Sequence, residues 1–226
     1  MLSLIIPAYN EGGRIRETLT NYFDFIKKNK LRKDIEIIIV LNDCTDNTEE
    51  VIDKFKVKKI LLNKKGKGIA VMEGFKQATG EFIGFTDADG SANLKDIYKF
   101  FKILSNSDYD GIVGERESSR KFVSSYLFKR LVHLLFDLKI KDTQCAVKIF
   151  KNETAKLISN RCKQTGWIFD IDVLLICKNY KKKLLQLPVK WEVKDGSNMS
   201  FAQGMKSAWE VIKYSGEMQR FPQLGD

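Results

Sequence analysis

The sequence predicts an α/β fold: a mostly parallel, doubly wound sheet with helices on both faces and amphipathic helices towards the C-terminus. Three observations carry this expectation. Apolar, β-rich runs alternate with helical patterns through the first half of the chain. The run IEIIIVL (35–41) is apolar without alternation, as in a strand covered on both faces. The polar clusters AYNEGG, LNDCTDN, NKKGKG and TDADGS each follow an apolar run. That puts them outside the carboxyl ends of strands, where such sheets bind ligands.

In chain order, LSLIIP (2–7) reads as the first strand, followed by a polar loop and a helix through about Lys28. After IEIIIVL, the oxygens between Asp43 and Thr48 offer N-caps for a helix through VIDKF. KKILL (58–62) is a third strand, a helix starts near Gly68, and EFIGFT (81–86) is a fourth strand. LKDIYKFFKIL (94–104) is helical and YDGIVG (109–114) extended. Leu127, Leu131, Leu134, Leu135 and Leu138 recur at helical spacing within 121–138. TQCAVKIF (143–150) reads as a strand, FDIDVLLICKNY (169–180) as a helix, and LLQLPVKW (184–191) as an edge strand carrying Pro188. The final helix places Phe201, Met205, Ala208 and Ile212 on one stripe. No repeat or linker divides the chain, so residues 1–226 are expected to form one domain, with 1–115 as a nucleotide-binding half and 116–226 as an acceptor half.

With 226 residues, the chain is long enough for a sizeable core. Its 39 Lys+Arg against 29 Asp+Glu, a net charge of +10, draw it to anionic partners. The lysines are scattered and no basic groove is interleaved with aromatics, which argues against nucleic acid. Cys44, Cys145, Cys162 and Cys177 form no C-x-x-C pair and read as reduced thiols. No stretch reaches the ~18 to 20 apolar residues that span a bilayer, and the N-terminal residues lack a basic leader and cleavage site. The expected location is cytoplasmic, peripheral on the cytoplasmic face of a membrane.

In FIGFTDADGS (82–91), Asp87 and Asp89 sit one residue apart where a strand runs out. Two such carboxylates repel unless they share a cation. Hard oxygens there suit Mg²⁺ or Mn²⁺, with Ser91 a weaker, extra or water-mediated ligand; magnesium's preference for phosphate implies a phosphorylated substrate. Lys64, Lys65 and Lys67 lie among glycines at a helix N-terminus, a setting that favours anions. Tyr9 can flank a base, and Glu11 and Asp43 can accept from ribose or base; ordinary helix capping is the simpler role for Asp43 and Thr45.

Taken together, PAYNE, LNDCTDNT, N-x-x-G-K-G-x-A with G-x-x-x-A-x-G-E, and DADG resemble the inverting glycosyltransferase family 2, of Rossmann-like GT-A fold. GER (114–116), KDTQCAVKIF (141–150), FDIDVLL (169–175) and LPVKW (187–191) resemble its branch acting on dolichyl and other polyprenyl phosphates. The chain departs from the family pattern at Asn42-Asp43-Cys44-Thr45 and at Ala146-Val147, and it lacks the transmembrane helices of many relatives. The resemblance implies a nucleotide-sugar donor, UDP-glucose ahead of GDP-mannose, bound by Pro7, Tyr9, Asn10, Glu11, Asp43, Lys67, Asp87 and Ala88. It implies metal at Asp87 and Asp89, with Asp89 also catalytic.

A phosphate acceptor needs no general base, because its second pKa is about 6; it needs cations. The resemblance makes Arg116 and Arg130 the expected clamp, with Arg120 and Lys129 as alternatives. A glycan hydroxyl acceptor would instead need a carboxylate base, from Asp142, Asp170 or Asp172. For the latter two, complementing a helix dipole is the simpler role. His133 reads as a surface or packing residue. Membrane contact would come from the 121–138 helix, flanked by Arg120, Lys121, Lys129 and Arg130, and from the last helix, with Trp209, Lys206 and Lys213. Each stripe could equally face the core. A non-catalytic basic module for lipid or nucleic acid is the reading from another class.

Overall fold

The computed structural model describes residues 1–117, 123–166, 168–192, 194 and 201–220. In order these form β1 (Leu2–Ala8), α1 (Ile15–Lys28), β2 (Ile35–Asn42), α2 (Thr48–Ile52), β3 (Lys58–Leu62), α3 (Lys67–Gln77), β4 (Phe82–Phe85) and α4 (Leu94–Ser105). There follow β5 (Gly111–Glu117), α5 (Val123–Phe136), β6 (Lys148–Lys151), α6 (Asn152–Arg161), α7 (Phe169–Asn179), β7 (Leu184–Lys190) and α8 (Phe201–Arg220).

The seven strands make one sheet in the order β3-β2-β1-β4-β6-β5-β7. Pairing is parallel except along β6, which runs antiparallel to both β4 and β5. This reversal matters for the site. It brings the chain entering β6 to the same edge as the carboxyl ends of the other six strands.

Two-residue periodicity divides the strands between two layers. Leu2, Leu4 and Ile6 of β1, with Ile35, Ile37 and Ile39 of β2, face α1, α2 and α4. Ile5, Ile38 and Val40 face the other way, towards α3, α6 and α7. A third cluster joins Val113 of β5 to α5, α7 and α8. Helix α7 is buried along nearly its whole length, so apolar residues occur all round it and its two acids, Asp170 and Asp172, are buried too.

Three expectations are corrected, and one helix was not anticipated. The strand proposed at 143–150 is extended only from Lys148, because residues 143–147 cross the sheet edge as a loop. Helix α6, NETAKLISNR, had no expectation, since its apolar content is low; Lys156 anchors it by donating to the carbonyls of Phe75, Lys76 and Ala78 at the end of α3. Asp43 and Thr45 do not cap α2: Asp43 takes a left-handed conformation (φ 57°) and Thr45 bonds Asn10, while Asp46 accepts from the Thr48 N–H. On α8 the buried stripe is Ser207, Val211 and Ser215, so Ile212 faces outward. Arg120 and Lys121, and the side chains of Leu127, Phe201, Met205 and Lys206, lie outside the described residues.

Candidate active site

The TDADGS turn leaves β4 under two constraints from α1. Thr18 Oγ1 donates to the Ala88 carbonyl (2.9 Å) and Tyr22 OH to the Ala92 carbonyl (2.7 Å). Gly90 has φ +75°, and a Cβ there would lie 2.8 Å from Thr18 Oγ1. Glycine is therefore required both by conformation and by space. Asp89 Oδ1 accepts from the Ser91 N–H (2.9 Å), and the Ser91 carbonyl accepts from Glu192 (2.9 Å), fastening the turn to the end of β7. Ser91 itself is buried.

Asp87 meets Lys67, the first residue of α3, at 2.5 Å. Burial disfavours the Lys67 charge, but Asp87, Asp170 and Asp89 outweigh it and hold the ammonium above its usual range. Glu11 lies near enough to sense both Asp89 and Asp87. Burial pushes its carboxyl up, against a bidentate grip from Arg14 at 2.8 Å to each oxygen.

The loops after β1 and β2 are stitched together. Asn10, in a left-handed conformation (φ 53°), accepts from the Thr45 N–H (2.8 Å), and the Glu11 N–H donates to Thr48 Oγ1 (2.8 Å). Lys65 sits 5.2 Å over the exposed Tyr9 ring and 4.0 Å from Asp43. Tyr9, Asn10, Glu11 and Asp43 therefore share one rim with Lys65. Pro7 pairs with Val40 at the β1–β2 carboxyl ends behind them, and Ala88 is buried beneath the turn.

On the other side, Arg116 near the end of β5 donates from Nε and Nη2 to Asp142 at 2.7 and 2.9 Å, and stacks 5.5 Å from the Trp191 ring. Lys129 of α5 reaches the same carboxylate at 3.6 Å. Burial would raise the Asp142 pKa, but Arg116 foremost, then Lys129, holds it below the usual carboxylate range. Arg116 is also close enough to feel Asp87. Among the described side chains of α5, Lys129 joins the Arg116–Asp142 pair, and Arg130 is exposed on the same helix. His133 bonds the Leu138 carbonyl through Nδ1 (2.7 Å), a packing role.

Asp170 and Asp172 are both buried and both engaged. Lys148 bonds Asp170, and Asp172 accepts from the Lys163 and Gln164 N–H groups and from Tyr214 OH (2.6 Å). Thr18, Tyr22, Trp191 and Lys148 carried no expectation as site residues. Of these only Lys148 had a legible signal: a lysine inside the apolar run CAVKIF must be either exposed or paired.

The arrangement fits a divalent cation of the magnesium or manganese kind. Asp87 and Asp89 supply oxygen donors only, and among the described residues no three His, Cys, Asp or Glu side chains group closely enough to enclose a metal. Such a pair leaves most positions to phosphate and water, as magnesium prefers.

Comparison with known proteins bears on the family and the fold. The pattern of the family described as "Glycosyl transferase family 2" matches residues 3–162. A dolichyl-phosphate beta-glucosyltransferase of Saccharomyces cerevisiae is 30% identical over 245 aligned positions, covering 93% of this chain and 73% of that one. A Trichomonas vaginalis protein of the same description is 32% identical, covering 94% and 72%; the Homo sapiens one is 28% identical, covering 88% and 69%. Among solved structures, glucosyl-3-phosphoglycerate synthase from Mycobacterium tuberculosis with Mg²⁺ and UDP superposes with a TM-score of 0.78 at 15% identity, covering all of this chain and 80% of that one. Its complex with Mn²⁺, UDP and glucosyl-3-phosphoglycerate gives 0.77 at 15% identity, covering 100% and 81%. At that identity the likeness shows the fold, which is GT-A. With the family pattern extending over well over half its length, this chain belongs to glycosyltransferase family 2 and is a glycosyltransferase.

Proposed function

We propose that this enzyme transfers glucose, with inversion, from UDP-glucose to dolichyl phosphate or a related polyprenyl phosphate. The relatives described as dolichyl-phosphate beta-glucosyltransferases support glucose as the sugar and dolichyl phosphate as the acceptor. The observation that carries the reading is the state of the acceptor-side carboxylates. Asp142 is ion-paired to Arg116, Asp170 to Lys148, and Asp172 accepts three hydrogen bonds. None is poised to take a proton from a sugar hydroxyl. Cations, by contrast, gather there in Arg116 and Lys129, as a phosphate nucleophile already ionised at neutral pH requires.

In this reading Tyr9, Asn10, Glu11 and Asp43 form the rim for the nucleoside, with Pro7 and Ala88 shaping its floor. Lys67 faces the diphosphate and offsets its charge. Asp87 and Asp89 would hold a Mg²⁺ or Mn²⁺ ion, which would supply Lewis-acid stabilisation of the leaving diphosphate. Arg116 presents to the acceptor phosphate the guanidinium edge that Asp142 does not use, aided by Lys129, with Arg130 guiding the headgroup from the exposed side of α5. The phosphate oxygen attacks the anomeric carbon, the bond to the diphosphate oxygen breaks, and the UDP leaves with that electron pair.

The lipid is met at a membrane surface. No helix among the described residues is long and apolar enough to cross a membrane. Leu134 of α5 (83% exposed) and Trp209 and Ile212 of α8 (68% and 45%) form outward apolar positions on two packed helices, beside exposed Arg130 and Lys213. Basic amphipathic helices of this kind lie in the headgroup layer, here on the cytoplasmic face.

The test is incubation of the purified protein with a short polyprenyl phosphate, Mg²⁺ or Mn²⁺, and UDP-glucose or GDP-mannose in turn. Metal-dependent glucolipid from UDP-glucose, abolished by Asp89→Ala, is expected. Nucleotide binding without glycolipid would move the acceptor elsewhere; glycolipid from GDP-mannose alone would replace the donor.

A further inference from the structure

Lys148 is the one lysine among the described residues with no solvent exposure. Its ammonium donates to the carbonyls of Thr143 (3.1 Å) and Cys145 (2.8 Å) and to the Asp170 carboxylate, and lies 5.3 Å from the Phe85 ring. All three ammonium protons are thereby used. A buried ion pair is poor evidence of added stability, because apolar residues of similar volume commonly do as well. The retained charge therefore invites an explanation in what its partners carry.

Those partners belong to three different pieces of the active edge. Thr143 and Cys145 lie in the loop that begins at Asp142, the carboxylate gripping Arg116. That loop does not satisfy itself: Thr143 Oγ1 is buried without a hydrogen-bond partner. Asp170 heads α7 next to Phe169, which packs so closely on Gly68 that a Cβ there would come within 2.7 Å, and its charge reaches Lys67. Phe85 ends β4 two residues before Asp87, and pairs with Lys148 across the sheet.

We propose that Lys148 is a positioning residue for glycosyl transfer: it holds the Asp142 loop, and through Asp142 the Arg116 guanidinium, in register with the Asp87–Asp89 edge. The inference rests on the phosphate-acceptor reading given above. Misplacement by about 1 Å at such a distance from the chemistry costs on the order of a hundredfold in rate.

Lys148→Met alone strands a buried carboxylate and can fail through misfolding, so the informative variant is Lys148→Met with Asp170→Asn, which removes both charges. Full-length wild-type and double variant are compared with UDP-glucose, Mn²⁺ and a short polyprenyl phosphate, alongside UDP binding by calorimetry and thermal unfolding. The expected result is a cooperatively folded double variant that binds UDP within about threefold of wild type, with acceptor KM raised and kcat lowered by about tenfold or more each. A folded double variant with wild-type acceptor KM and kcat would overturn the proposal. So would failure to fold, or an equal loss of UDP binding, since each makes Lys148 a general element of stability. If the wild type itself forms no glycolipid, the substrate reading has failed, and that outcome is separately visible.

Discussion

Arg116 and Asp142 meet edge to edge: Nε and Nη2 of the guanidinium donate to the two carboxylate oxygens at 2.7 and 2.9 Å, and the Arg116 backbone N–H adds a third contact at 3.3 Å. The carboxylate is 1% exposed and the arginine partly open to the site. One partner is thus fixed by the fold while the other can face a ligand. Asp142→Ala leaves the arginine without its orienting partner. An unfolding free energy lower by about 3 kcal/mol is expected, measured by chemical denaturation, together with a raised acceptor KM in the glycolipid assay.

The same pair sets a pH dependence. Burial works against the Asp142 charge, yet Arg116, then Lys129, hold its pKa below the unfolded value of 3.8. A carboxyl depressed on folding stabilises the protein above its unfolded pKa, and that contribution is lost as pH falls through the folded one. The stability gap between wild type and Asp142→Asn should be constant at neutral pH and shrink below about pH 4. Denaturation midpoints across acid pH measure it. A gap that widens on acidification would contradict the assignment.

Lys67 stands between Asp87 and the proposed diphosphate. Replacing it with Met removes the cation that meets Asp87 and lies 6.0 Å over the Phe169 ring, while keeping an unbranched side chain of similar length. Donor KM should rise by about tenfold, the equivalent of one lost charge-assisted hydrogen bond, with acceptor KM little changed. Manganese binding without nucleotide should persist or tighten, since Asp87 loses its competing partner.

At Gly90 the backbone has φ +75° and Thr18 occupies the space a side chain would need. Gly90→Ala is expected to cost about 1–3 kcal/mol of stability and to move Asp89. Activity should fall more steeply than thermal stability, and Thr18→Ala, which opens that space, should recover part of the stability loss in the double variant.

Membrane contact predicts that Leu134→Ser with Trp209→Ser lowers co-sedimentation with anionic phospholipid vesicles while leaving the fold intact, because both side chains are exposed (83% and 68%). Added salt should weaken wild-type binding through screening of the basic residues. Unchanged sedimentation would remove this face from consideration.

Thiol reactivity offers an independent check on the core. Burial foremost pushes the thiols of Cys145 and Cys177 up to about 12. Neither should alkylate at pH 8 in the native state, and both should do so after denaturation, as read by mass spectrometry.

Much of the fold was legible because its signals are local. The buried parallel strands Leu2–Ala8 and Ile35–Asn42 declare themselves by unbroken apolar residues, and the ligand clusters by their position directly after such runs. Helix α6 was not legible, because a mostly polar decapeptide is held by contacts from α3 rather than by its own pattern. The 143–147 segment misled for the converse reason: its small and apolar residues are buried by tertiary packing although they form no strand.

By itself the sequence determined the α/β alternation, the Asp87–Asp89 pair at a strand end and the basic turn at the head of α3, since each depends on residues adjacent in the chain. Tertiary structure alone decided which distant groups meet. The reversal of β6 carries Asp142 to Arg116 and Lys148 to Asp170, and helix phase turns Lys129 inward while leaving Arg130 exposed. Charge pairing across 22 or 26 residues depends on sheet order and helix rotation, and neither leaves a periodic trace in the amino-acid sequence.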